Sequence, residues 1–270
     1  MPERPWHYDS LGIPSLHTRS RGEGIRVAVL DTGVAAANGL FADLRTFAPD
    51  GSVTDPIDDD GHGSACASLI ASRDDFAPGI APDASITSIQ VTAAGEPIEG
   101  LVRQAILTAV KQGCHVISCS FTLRKADAAT LDIVRDACNR GVVVIAASGN
   151  EPDVASAFPE RTPNVLVVGP YGHDREPLQG RFGAFTDILS PGVDLPVVSR
   201  DGSRISFGQS SGAAAVTAGV VALVLSITRA QGTARVGLAL EGLAKATALT
   251  DQGVRFLDAD RLLIAAERIP

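Results

Sequence analysis

The sequence predicts an α/β chain in three layers: a central, mostly parallel sheet with helices on both faces. Short apolar runs alternate with stretches of helical periodicity, the pattern of parallel strands joined by right-handed crossovers. Residues 142–147 are apolar at every position, so both faces of that strand must be covered. No internal repeat, low-complexity tract or Pro/Gly/Ser-rich linker divides the 270 residues. Residues 1–270 therefore read as one domain, with 1–24 as an N-terminal extension.

The elements follow in order. Residues 25–30 read as a strand, and 65–72 as an Ala-rich helix entered from the polar stretch 50–63, a surface loop. Residues 86–91 form the next strand. Over 100–112, Leu101, Ala105, Leu107, Ala109 and Val110 recur with helical spacing, and Gly113 ends that helix. Residues 116–121 are a strand, 130–139 a helix closed at Gly141, and 142–147 a strand whose pattern 165–168 repeats. A long apolar helix covers 213–226, and 232–246 and 257–268 are closing helices.

Composition narrows the function classes. Hydrophobic residues make up 45% and charged residues 20%, enough apolar material for a sizeable core; at 4% aromatics, that core is built from Ala, Val, Leu and Ile. The net charge of −8 argues against nucleic acid or an anionic membrane as partner. The first residues carry no apolar run after their basic residue, which predicts no secretory leader, and the most apolar window, 216–227, falls short of the ~20 residues of a membrane span. Cys66, Cys114, Cys119 and Cys138 show neither metal-ligand spacing nor a disulfide framework, so buried, reduced thiols and a cytoplasmic location are expected.

Four segments carry chemistry. Asp31 follows the strand 25–30 at its carboxyl end, where catalytic groups of parallel sheets collect, and a carboxylate there holds an imidazole by hydrogen bonding. Alone it would read as a turn aspartate before Gly33. His62 lies between Gly61 and Gly63 at the start of a helix, which lets substrate approach the ring. Of the other histidines, His115 precedes a strand and reads as structural, while His7, His17 and His173 fall in polar loops. Ser211 opens the apolar helix, where its N–H and the helix dipole favour a developing oxyanion; Ser210 would be the helix cap. Asn150 ends the segment 142–149, and its amide is a second oxyanion donor beside the Ser211 N–H. Acid, base and nucleophile follow in the order Asp, His, Ser.

These segments resemble the subtilisin-type serine peptidases, the subtilases. Asp31-Thr32-Gly33-Val34 is similar to that family's aspartate motif and His62-Gly63-Ser64 to its histidine motif. Ala146-Ala147-Ser148-Gly149-Asn150-Glu151 resembles the oxyanion segment. Ser210-Ser211-Gly212-Ala213 with Thr217-Ala218-Gly219 resembles the serine helix, and the position of Gly219 relative to the nucleophile selects Ser211 over Ser210. The turns Gly79-Ile80-Ala81-Pro82-Asp83-Ala84, Ser190-Pro191-Gly192 and Leu257-Asp258-Ala259 match as well, so the likeness runs from about Arg26 to Ala266.

The resemblance implies a subtilisin-like fold and a substrate-binding wall made by Ser120, Phe121 and Thr122 on one side and Ala147, Ser148 and Gly149 on the other. It implies a peptide or protein substrate held extended along that wall. Thr122 stands where the family has glycine, which narrows the pocket for the residue preceding the scissile bond, and the short loop 150–158 trims it further. Ala215 replaces a proline of the serine helix. The insertion that binds calcium in many relatives is reduced to residues 72–77, so no metal and no cofactor are expected. Cys66 matches the thiol-bearing branch of the family, with its sulfur under the imidazole. No inhibitory prodomain is expected in the roughly thirty residues before Asp31.

Other readings fit less well. Gly208-Gln209-Ser210-Ser211-Gly212 matches a nucleophile elbow, but that architecture needs a histidine after the serine, and His173 is the last one. An aspartic protease would need a second Asp-Thr-Gly. A degenerate binding module would have lost one of the four groups. The expectation is thus a serine endopeptidase that processes a peptide or protein precursor inside the cell. The alternatives are peptide transfer or macrocyclisation on a precursor, and general intracellular protein turnover.

Overall fold

Strands that are apolar on both faces need helices above and below them, and this is the arrangement found. The structure, a computed structural model, describes residues 4–35, 39–151, 156–159, 162–178, 186–230, 236–251 and 254–269. Helices α1 (Trp6–Ser10) and α2 (Ile13–His17) precede β1 (Arg26–Asp31) and β2 (Asp43–Phe47). Then come α3 (His62–Ala71), β3 (Ser85–Gln90), the two-residue strands β4 (Thr92–Ala93) and β5 (Glu96–Pro97), α4 (Glu99–Lys111) and β6 (Val116–Cys119). Helix α5 (Ala128–Asn139) leads to β7 (Val143–Ala147), β8 (Val165–Tyr171) and β9 (Ile188–Pro191), and β10 (Leu195–Val198) pairs with β11 (Arg204–Phe207). The chain closes with α6 (Gln209–Ala230), α7 (Val236–Thr247), β12 (Leu249–Asp251), β13 (Val254–Phe256) and α8 (Ala259–Ala266).

Nine strands form the main sheet in the order β12-β13-β9-β8-β7-β6-β1-β3-β2. All neighbours from β9 to β2 are parallel; β13 joins β9 through Phe256 and Leu189, and only β12 runs antiparallel to its neighbour. Alternation along β1 feeds two cores. Val27 and Val29 pack in the cluster that holds α3 and α6, while Ala28 and Leu30 pack in the cluster that holds α4 and α5. The carboxyl ends of β1, β6 and β7 thereby share one rim of the sheet.

Several boundaries differ from the sequence expectation. Helix α5 starts two residues earlier than 130, because the Asp127 carboxylate accepts from the Thr130 N–H at 2.7 Å. Helix α6 is 22 residues long, eight more than 213–226. The segment Gln209–Arg229 is long and apolar enough to cross a bilayer, contrary to the expectation that no stretch is, yet its apolar window is wholly buried inside the fold. Its polar residues are accommodated within the helix and its packing. Thr217 Oγ1 donates to the Ala213 carbonyl at 2.8 Å, and Ser226 Oγ donates to the Glu23 carbonyl at 2.7 Å. The expected helix 232–246 begins at Val236, and 232–235 lie outside the described residues.

The N-terminal histidines are also corrected. His7 lies in α1, fully buried, and His17 ends α2 with its Nε2 2.8 Å from the Ile80 carbonyl; neither is in a polar loop. The reason is aromatic anchoring: Tyr8 Oη donates to the Gly79 carbonyl at 2.6 Å and Trp6 Nε1 to the Val193 carbonyl at 3.0 Å, which presses α1 onto the domain. His173 is exposed as expected, and His115 is structural, its Nδ1 accepting from the Arg26 N–H at 3.0 Å. The four cysteines are free and buried.

Helix α6 approaches its neighbours closely because its inner face is built of small residues. A Cβ at Gly219 would stand 2.5 Å from Ile80 Cβ. Substituting Gly219→Ala regains about 1 kcal/mol of helix propensity but forces an overpacking of roughly 1–3 kcal/mol. Urea denaturation is expected to show a net loss of stability for Gly219→Ala and a larger one for Gly219→Val.

Candidate active site

Asp31 is the last residue of β1 and His62 the first of α3, so two separate elements must be brought end to end for the side chains to meet. The turn after Asp31 and the entry to α3 are tight. A Cβ on Gly33 would stand 2.0 Å from the Ile57 carbonyl oxygen, and one on Gly63 would stand 2.0 Å from the Gly33 carbonyl oxygen and 3.0 Å from Asp31 Cβ. Only glycine permits this approach. In the result His62 Nδ1 lies 2.7 Å from Asp31 Oδ1, which also accepts from the Thr32 N–H at 2.8 Å. Asp31 is 3% exposed, and its Oδ2 has no hydrogen-bond partner. With Nδ1 engaged, Nε2 is the nitrogen left to act.

The ring has two further neighbours. Cys66 Sγ is 3.8 Å from His62 Nδ1, as the sequence implied, and Phe207 meets the imidazole edge to face at 5.3 Å between centroids. Burial works against the imidazolium, but the Cys66 sulfur and the hydrogen bond and charge of Asp31 outweigh it and raise the His62 pKa well above 6.5. Burial raises the Cys66 pKa, so that residue is a neutral thiol at neutral pH and the lift there comes from Asp31. Asp31, His62 and Cys66 bring potential ligand atoms within 4.8 Å of one another, the one grouping of that kind among the described residues.

Ser211 lies in the first turn of α6, 8% exposed. Its Oγ donates to the Ser120 carbonyl at 3.1 Å, and Ser120 Oγ returns a bond to the Ser211 carbonyl at 3.2 Å. Ser211 and His62 are thus not hydrogen-bonded to each other. They flank Ser120 and Phe121, which line both the cavity at Ser211 and the smaller one at His62. Rotation about the Ser211 Cα–Cβ bond is the movement that frees Oγ from Ser120; catalytic bonds are commonly loose before substrate binds. Among the described residues no carbonyl accepts from the Ser211 N–H, as is usual for first-turn groups.

Ser210 is not the helix cap. The helix starts at Gln209, and Ser210 turns its N–H (3.2 Å) and Oγ (2.7 Å) onto Asn150 Oδ1. That fixes the amide orientation, leaving the Asn150 NH₂ for the cleft. Gly149, at φ 90°, makes the turn that swings Asn150 away from β7.

The expected walls are present. Ser120, Phe121, Thr122, Ala147, Ser148 and Gly149 line a cavity of about 610 Å³ together with Asn150 and Ser211. Thr122 lies on that wall beside Gly149, its Cγ2 3.4 Å from where a Gly149 Cβ would be. Of the loop 150–158, residues 152–155 lie outside the described residues. Sequence reasoning missed the charged rim of the cleft, where Arg124 and Glu151 approach to 3.9 Å and Glu96, Glu99 and Lys125 stand nearby. It also missed Phe207, for which an aromatic four residues before Ser211 was the available signal, and Asp58, which read as part of a polar loop although it is buried.

Known proteins resemble this chain in sequence and in fold. The model of the subtilase family matches residues 22–258. M-protease of Shouchella clausii (strain KSM-K16) is 32% identical over 226 residues, which are 82% of this chain and 59% of that protein. Subtilisin Savinase of Lederbergia lenta is 31% identical over the same share of this chain and 83% of its own length. The chain thus spans about 59% of the length of the first of these. Among solved structures, the prenylagaramide maturation protease PagA superimposes with a TM-score of 0.82 at 26% identity, covering 94% of this chain and 98% of its own. MycP1 with its N-terminal propeptide removed gives 0.78 at 23%, covering 97% of each chain.

The Asp31–His62 pair predicts a titration readable without any substrate. The folded His62 imidazole should titrate above 6.5 by NMR. Asp31→Asn should bring that value down toward 6.5, because the charge that favours the imidazolium is gone. An unchanged midpoint in the variant would show that Asp31 does not set it.

Proposed function

The chain belongs to the subtilase family, and from that premise we propose that it is a serine endopeptidase, hydrolysing peptide bonds through an acyl-enzyme. The observation that carries this reading is the 2.7 Å contact of Asp31 with His62 on the rim where Ser211 and Asn150 line one cavity. In the proposed reaction His62 Nε2 takes the proton of Ser211 Oγ as the oxygen attacks the scissile carbonyl. Asp31 holds the ring and favours the imidazolium. The Ser211 N–H and the Asn150 amide receive the oxyanion. The imidazolium then protonates the leaving amine, and water, deprotonated by His62, resolves the ester to acid and free serine.

The substrate is an extended peptide or protein segment, lying along Ser120–Thr122 and Ala147–Gly149. Processing of a precursor peptide, in place of bulk turnover, is supported by Thr122 on the cavity wall, where the family has glycine, and by the likeness to PagA, a maturation protease by name. A cytoplasmic site of action is supported by four cysteines that are all unpaired.

Three measurements test the reading. Ser211→Ala should reduce peptide hydrolysis to background with an unchanged circular dichroism spectrum, and Asn150→Ala should lower kcat roughly a hundred- to a thousandfold; full activity in the serine variant would end the assignment. With a peptide substrate and an excess of free amine, mass spectrometry should find the acid product; an amide product would assign peptide transfer. Thr122→Gly should open the pocket, raising kcat/KM for peptides with large aromatic residues before the scissile bond more than for those with alanine.

A further inference from the structure

The geometry points to Asp58 as the positioning residue that holds the acid turn and the base helix in register, so that Asp31 and His62 meet. The inference rests on the peptidase reading above. Asp58 lies in the loop between β2 and α3, yet it is 5% exposed and its carboxylate accepts five hydrogen bonds. Oδ1 receives Thr32 Oγ1 at 2.8 Å, the Gly61 N–H at 2.7 Å and the Asp60 N–H at 3.2 Å. Oδ2 receives the Ser64 N–H at 2.8 Å and Ser64 Oγ at 2.6 Å.

These donors fall into two groups. Thr32 adjoins Asp31; Gly61 and Ser64 bracket His62. Thr32 Oγ1 also accepts from the Gly63 N–H at 2.9 Å, so the acid turn, the loop and the helix start are tied into one ring of bonds. The backbone of Asp58 contributes as well. Its residue pairs with Gly33 as an isolated bridge, and its carbonyl accepts from Arg200 Nη1 at 2.7 Å. The carboxylate also sits at the N-terminus of α3, where its charge is favoured. Burial opposes that charge, but the bonds from Ser64, Gly61 and Thr32 outweigh it and hold the carboxyl below its ordinary pKa.

Asp58 lines neither the cavity at Ser211 nor the one at His62, and its carboxylate is turned onto Thr32, Gly61 and Ser64 instead. What it controls is distance. The Asp31–His62 bond joins the ends of two elements that no covalent link holds at that spacing, and small displacements of a catalytic pair are costly in rate. A purely structural aspartate would alter stability alone; a positioning one acts through Thr32 and alters the histidine.

The test compares Asp58→Asn, Thr32→Val, Thr32→Ser and the double variant Asp58→Asn/Thr32→Val. In Asp58→Asn, kcat should fall roughly ten- to a hundredfold with KM held within about twofold. The low-field Nδ1 proton of His62 should move upfield or broaden. Thr32→Val should do the same and Thr32→Ser should recover the lost kcat, while the double variant loses little more than the larger single one, because both act through one bond. A lowered Tm with normal kcat and an unmoved His62 proton in Asp58→Asn would overturn the inference, as would single losses that multiply in the double variant. Should Asp58→Asn not fold, the Thr32 pair reads the same coupling. If the wild-type protein cleaves no peptide, the peptidase reading fails, and the His62 proton still decides the role of Asp58.

Discussion

The site depends on a single 2.7 Å hydrogen bond between the end of one strand and the start of one helix. Parallel strands place their carboxyl ends on one rim, but they do not by themselves bring a side chain at the end of β1 onto the first residue of a helix that follows β2. That requires two backbones to touch. Gly33 and Gly63 supply the contact, since a Cβ at either position would collide with a carbonyl oxygen at 2.0 Å. Glycine here is a condition of the proposed chemistry, because it allows Asp31 and His62 to meet from positions 31 residues apart.

The proposed nucleophile, Ser211, is placed by a different device. Helix α6 is buried from Ser210 to Thr228, and its contacts with the sheet and with α3 fix its N-terminus beside the ends of β6 and β7. Reciprocal bonds between Ser120 and Ser211 tie that end to β6, and Ser210 ties it to Asn150 after β7. The same small residues that let the helix pack tightly, Gly219 against Ile80 and Gly212 against Leu195, therefore set where Ser211 stands. Core packing and site geometry are one constraint in this protein.

How much of this the sequence revealed follows from the range of each interaction. The apolar strands at β1, β6, β7 and β8 and the helix α6 are written in local hydrophobic pattern and were legible within a few residues. The edge strand β2 was not, because only Phe47 of its five residues is buried. His7 was misplaced because its burial comes from tertiary anchors, Trp6 on Val193 and Tyr8 on Gly79, which leave no periodic trace. The four chemical residues were legible because each sits at an element boundary marked by glycine or serine. Asp58 was hidden in a run of acidic residues whose other members, Asp59 and Asp60, are exposed, so composition suggested a solvated loop. Ser210 was assigned to capping because a serine at a helix start usually caps; the helix begins one residue earlier, and its side chain was free for Asn150.

The unsatisfied groups of the site carry the last step of the argument. Buried polar atoms normally find partners, and leaving one without costs about 1–3 kcal/mol. Yet among the described residues Asp31 Oδ2 is buried with none, and the Ser211 N–H at the head of α6 has no carbonyl. Around the same rim, Asp58 satisfies five donors and Ser210 fully engages the oxygen of Asn150. The contrast is selective. Groups that orient the site are saturated, whereas the groups that would face charge in the proposed reaction are not: negative charge on Asp31 awaits an imidazolium, and donors at Ser211 and Asn150 await an oxyanion. In the proposed reaction, a site arranged in this way would bind the charge-separated transition state better than the neutral ground state, and the difference would lower the barrier without moving any atom of the frame.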